Sequence, residues 1–99
     1  MAEERKYQVT IIDRVPVTTY PKLNVAKTTI YVTYFTEGLS PGTVVIDPEE
    51  IGIKDVEKLL EQIKAKKGPL YEKYIEYEKK RIREDIERRL GLTPESYEV

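Results

Sequence analysis

The sequence predicts an α+β domain: a three-stranded antiparallel β-meander in the N-terminal half, then two helices, the second long and charged. Three observations carry this reading. Val, Ile, Thr and Tyr concentrate in the first half and Glu, Lys, Arg, Leu and Ile in the second, so strand formers precede helix formers. No βαβ alternation is present. Charge divides the same way: residues 1–46 hold four acids and five bases, and residues 47–99 hold fourteen acids and twelve bases. Ninety-nine residues with 39% hydrophobic and 35% charged content suit one small domain over residues 1–99 with a modest core.

The first strand is expected at about 6–13, with Tyr7, Val9 and Ile11 on one face and Gln8, Thr10 and Ile12 on the other. Pro16 limits ladder pairing, and Val15, Val17 and Tyr20 extend an edge strand toward a turn at Lys22-Leu23-Asn24. The second strand, about 26–36, has the strongest pattern: Ile30, Val32 and Tyr34 alternate with Thr29, Tyr31, Thr33 and Phe35. Gly38-Leu39-Ser40-Pro41-Gly42 is a loop by turn chemistry, and a short third strand follows at 43–46.

Asp47-Pro48-Glu49-Glu50 is a helix-start signal: Asp47 caps, Pro48 suits the first position and Glu50 completes a capping box, with Gly52 ending or restarting the turn. The first helix is expected at about 53–67, because Ile53, Val56, Leu59, Leu60 and Ile63 fall on one arc and Gly68-Pro69 stops it. The second is expected at 69–90, a rod of roughly 33 Å at 1.5 Å per residue, followed by a tail at 91–99. Its apolar stripe, Tyr71, Ile75, Ile82 and Ile86, also carries Glu78 and Arg89 and is narrow for a core-facing helix. Glu76–Lys80, Glu84–Arg88 and Asp85–Arg89 are spaced i, i+4 with the acid first, the favourable order for surface pairs.

Composition excludes much chemistry. Cys and His are both absent, which removes disulfides, thiol catalysis, thiolate metal sites, the commonest general base and the commonest metal ligand. Ser40 and Ser96, the only serines, have no His to activate them. Glu49-Glu50 and Glu84-Asp85 are adjacent in sequence and so point in different directions. No calcium-loop or phosphate-loop spacing occurs. The expectation is a non-enzymatic chain with no catalytic, cofactor or metal site. Met1–Lys6 is charged and lacks an apolar signal core, and no run approaches the ~20 apolar residues of a membrane span. A cytoplasmic chain with no membrane partner is expected. One Asn, two Gln and one Met amid dense, balanced charge fit both hyperthermophile proteins and engineered surfaces.

Two binding readings remain. The first is an interaction module that self-associates as a homodimer. Its candidate interface is Tyr71, Ile75, Ile82 and Ile86 on the long helix, with Tyr31 and Phe35 on the sheet. The second is nucleic-acid binding through residues 64–83, where eight basic residues oppose three acidic ones and tyrosines are interleaved. Its candidates are Lys66, Lys67, Lys73, Lys80, Arg81 and Tyr77. Against it, Lys73, Lys80 and Arg88 share their helix face with Glu84, and the whole chain carries a net charge of −1.

Overall fold

A computed structural model describes residues 7–91. Three strands, β1 (Val9–Lys22), β2 (Val25–Thr36) and β3 (Gly42–Ile46), form an antiparallel sheet in the order β1-β2-β3. A 3-10 turn at Pro48–Ile51 leads into α1 (Val56–Ala65) and α2 (Pro69–Arg89). The α+β class and the meander are as the sequence predicts. The expected tail, from 92 onward, and residue 6 of the expected first strand lie outside the described residues.

The largest difference is β1, which runs to Lys22 rather than ending near 13. It is an edge strand, so Pro16 sits opposite Ile30 without interrupting a ladder on both sides. A two-residue connection, Leu23-Asn24, joins it to β2, and Asn24 adopts φ 62, a left-handed conformation Asn tolerates. Because β3 pairs only with Ile30–Tyr34, the far half of the β1–β2 ribbon extends past the third strand. At its tip Tyr20 is 70% and Leu23 89% exposed.

The β1–β2 register slips between Ile11 and Asp13, leaving Ile12 as an extra residue. Before the bulge, Val9 and Ile11 lie opposite Thr36 and Tyr34, on the face toward the helices. After it, Arg14 lies opposite Val32 and joins that inner face, while Val15 lies opposite Tyr31 on the outer one. Simple alternation would have kept Val9, Ile11, Asp13 and Val15 together.

The helices cover the inner face. Ile30, Val32 and Tyr34 of β2 and Val44 and Ile46 of β3 pack with Ile53, Leu59, Tyr74, Ile82 and Ile86. The first helix begins at Val56 rather than 53, because the Asp55 side chain accepts from the Lys58 N–H (3.0 Å) and caps it there. Ile53 is still buried, from the segment before the helix, and its N–H donates to the Pro48 carbonyl. Asp47-Pro48-Glu49-Glu50 starts only the 3-10 turn: Asp47 accepts from the Glu49 N–H and Gly52, at φ 74, ends it. Lys66, also left-handed at φ 59, closes α1 before Gly68-Pro69 is reached.

No side chain at its own N-cap position caps α2. Gln62 of α1 does so from a distance: its Oε1 accepts the N–H groups of Leu70 (2.8 Å) and Tyr71 (3.1 Å). Pro69 has no N–H, so this satisfies two of the remaining orphan donors at the helix start and ties the two helices together. Gly68 is required beside it, since φ there is 118 and a Cβ would collide with the Gln62 carboxamide. Gln62→Ala is therefore expected to lower stability by about 1–2 kcal/mol, the size of a lost helix cap. The check is a reduced urea midpoint with an unchanged slope.

Candidate interaction surface

The outer face of the sheet is covered by no other described element. Its side chains form rows across the strands. Val15, Tyr31 and Val45 are direct register partners, followed by Asp13, Thr33 and Thr43, and then Thr10 beside Phe35. Val15, Tyr31, Phe35 and Val45 are 42%, 41%, 43% and 37% exposed. Between the Tyr31 and Phe35 rows stand hydroxyls, with Thr33 Oγ1 3.5 Å from Thr43 Oγ1. Tyr31 and Phe35 stand there because β2 alternates strictly and its other face is the core.

The cation on these rows, Lys27, is paired: its Nζ lies 2.8 Å from Asp47 Oδ2. Desolvation pushes the Asp47 carboxyl up, but the Lys27 ammonium and the Glu49 N–H outweigh it and hold the group below its usual range. The same pair raises Lys27 through its hydrogen bond to Asp47. The face is thus mostly apolar and hydroxyl-rich, with Lys27 compensated by Asp47 and Asp13 standing exposed in its middle row.

The opposite side of the sheet holds the buried polar groups. Arg14 donates from Nε to Glu78 Oε2 (2.8 Å) and from Nη2 to Oε1 (2.9 Å), and the Tyr74 hydroxyl donates to Oε2 (2.5 Å). Seven residues further along α2, Asp85 accepts from the Tyr34 hydroxyl (2.5 Å) and from Arg88. Arg89 donates to the Tyr34 hydroxyl (3.1 Å) and to the Ser40 carbonyl, and its guanidinium lies 5.9 Å from the Tyr34 ring centroid. Glu78 and Asp85 thus each meet one tyrosine and one arginine. Burial, then the bond to Glu78, raises the Tyr74 phenol well above its usual range; burial, then Asp85, raises Tyr34. The hydrogen bond to Glu78 likewise pushes Arg14 further up. Seven helical residues separate the two carboxylates by about 10.5 Å along the axis, beyond the spacing of a cooperating acid pair. The arrangement neutralises charge and locks side chains. Among the described residues no group of three or more His, Cys, Asp or Glu is placed to hold a metal ion.

The expected site residues separate. Ile82 and Ile86 are buried in the chain's own core, and Tyr71 and Ile75 are partly covered beside it, so the helix stripe faces this chain's sheet. Tyr31 and Phe35 are the expected interface residues left on an uncovered surface. The basic candidates are dispersed. Lys66 lies at the end of α1 beside Asp13 and Tyr71, and Lys73 approaches Gly52. Arg81 is half-buried, 6.0 Å over the Tyr77 ring. Lys67 and Lys80 are exposed, and Lys80 lies on a face of α2 shared with Glu76 and Glu84.

Two of the expected helix pairs are replaced. Asp85 points into the core and meets Arg88 rather than Arg89, which turns to Tyr34 and Ser40. Glu76 lies 3.8 Å from Lys79, at i, i+3. Glu78 on the apolar stripe was the one sequence signal of a buried ion pair. Nothing in the alternation of β1 marked Arg14 as its partner, because the bulge decides that.

Two outcomes follow. Glu78→Leu alone leaves Arg14 uncompensated and is expected to cost about 3 kcal/mol, whereas Arg14→Met/Glu78→Leu together recover most of it; urea midpoints of the three proteins test this. The raised phenols set the alkaline limit. A tyrosine whose folded pKa exceeds its unfolded value of about 10 contributes stability that is present below that pH and lost as pH rises through the folded value. Thermal midpoints are therefore expected to fall above pH ~10, and less steeply in Tyr74→Phe.

Among the described residues no helix is long and apolar enough to cross a membrane. Compared with known proteins, the chain matches no family model, no curated protein and no solved structure.

Proposed function

We propose that this chain is a non-enzymatic interaction module whose outer sheet face packs against a second copy of itself. The row Val15–Tyr31–Val45, with Phe35 beyond it, is the observation that carries this reading: large side chains stand exposed on a face that no described element covers. A largely apolar, self-similar surface suits an isologous contact in which the same patch meets itself and the two exposed Asp13 carboxylates are kept from facing each other. Sheets pack face to face about 10 Å apart, and the alternation of Thr with Tyr, Phe and Val offers ridges and gaps of the right depth. A nucleic-acid strand would need cations along its path, and on these rows Lys27 is held by Asp47.

The patch is small. Three strands ~4.8 Å apart and some seven residues of ~3.4 Å give on the order of 350 Å² of flat area. A standard interface buries ~800 Å² per partner, so the expected association is weak and concentration-dependent. Light scattering coupled to size-exclusion chromatography tests this at tens and at hundreds of micromolar. The expected mass rises toward a dimer at the higher concentration. Tyr31→Glu/Phe35→Glu, both outside the core, is expected to keep the fold and remain monomeric. A wild-type monomer at both concentrations overturns the reading.

A further inference from the structure

We infer that the tip of the β1–β2 hairpin is a docking point for an anionic lipid surface. The tip lies beyond the rows proposed for self-association and does not depend on them. Leu23 and Tyr20 are the most exposed large apolar side chains among the described residues. Val25, the register partner of Lys22, stands exposed beside them. Leu23, at 89% exposure, is open on nearly every side. A flat protein partner would cover one side of such a point, whereas a fluid apolar medium closes around it. The tip is also preformed: Pro21 and the left-handed Asn24 hold a two-residue turn, so docking costs little conformational freedom.

Charge decides which medium. Residues 14–36 carry three bases and no acid, in a chain whose net charge is −1. Arg14 is bound by Glu78 and Lys27 by Asp47. Lys22, next to Leu23, is the cation of this segment without an ion pair among the described residues. Its stem can lie along the acyl boundary while its ammonium meets lipid phosphates. A tyrosine ring suits the same depth, apolar in its body and wet at its hydroxyl. Behind them, exposed Thr18 and Thr19 offer hydroxyls to the headgroups. Further back, the field of Glu49 and Glu50 reaches Lys27, so an anionic surface is met by the tip and repelled behind it. A nucleic-acid strand would need several free cations, and the tip has one. The expectation of no membrane partner followed from the lack of a long apolar run, and a contact made by a turn needs none.

Co-sedimentation with phosphatidylcholine vesicles, with and without about one third phosphatidylserine, is the test. The expected result is about fivefold tighter binding when phosphatidylserine is present, reversed by added salt. Leu23→Ser and Lys22→Glu, both at exposed positions, are expected to keep the circular-dichroism spectrum and to lose most of that binding. The chain has no Trp, so Leu23→Trp puts a reporter at the tip. Its emission is expected to shift to the blue on phosphatidylserine vesicles and to be quenched by brominated acyl chains. Absence of vesicle binding by the folded protein overturns the inference, as does equal binding with and without phosphatidylserine. So does binding that Leu23→Ser leaves unchanged, or an unshifted emission from the vesicle-bound Leu23→Trp variant, since either puts the contact elsewhere on the chain.

Discussion

The extra residue in β1 decides which side chains face the helices. Tyr7, Val9, Ile11, Asp13, Val15 and Val17 are every second residue and would share one face of a regular strand. The slip at Ile12 breaks that set in two. Val9 and Ile11 stay inward, Arg14 turns inward after them, and Val15 turns out to meet Tyr31. The buried ion pair on one side of the sheet and the apolar row on the other are therefore consequences of the same local irregularity. A strand without the bulge would put Asp13 toward the core near Glu78 and carry Arg14 away from it.

Given that register, α2 is held by polar contacts as well as by its apolar stripe. Isolated carboxylates on a core-facing helix would be costly to bury, by several kcal/mol each. Glu78 and Asp85 avoid this because each receives a tyrosine hydroxyl and an arginine. The donors come from different places: Arg14 and Tyr34 from the sheet, Tyr74 and Arg88 from the helix itself. Such pairs need not add net stability over well-packed hydrocarbons, but they are directional. They fix the rotation of α2 at two points, while Gln62 fixes its beginning. The narrow stripe is thus compatible with a helix that packs on its own sheet.

Reading from sequence succeeded where one local pattern sufficed. The alternation of Ile30, Val32 and Tyr34, the turn residues after Glu37, and the arc Val56–Ile63 each placed an element within a residue or a few of its observed bounds. It failed where two distant segments decide jointly. Ile53 continues the helical arc, yet Asp55 caps two residues later and leaves it outside α1. Asp85 and Arg89 have ideal surface-pair spacing, but their partners are chosen by Tyr34 and Ser40, some fifty residues away. Tyr31 and Phe35 were identifiable as the second face of β2. Their neighbours Val15 and Val45 were not, since membership of that row depends on a bulge and on a β2–β3 register that no short window contains.

The most direct measurement is a set of nuclear Overhauser contacts from the folded protein in solution. With the bulge at Ile12, the Val15 methyl groups contact the Tyr31 ring, and the Arg14 δ-methylene contacts the Tyr74 ring. Contacts from Val15 to Ile82 or Tyr74, with Arg14 near Tyr31 instead, would show an unbroken β1. That result would contradict both the buried ion pair and the outer apolar row.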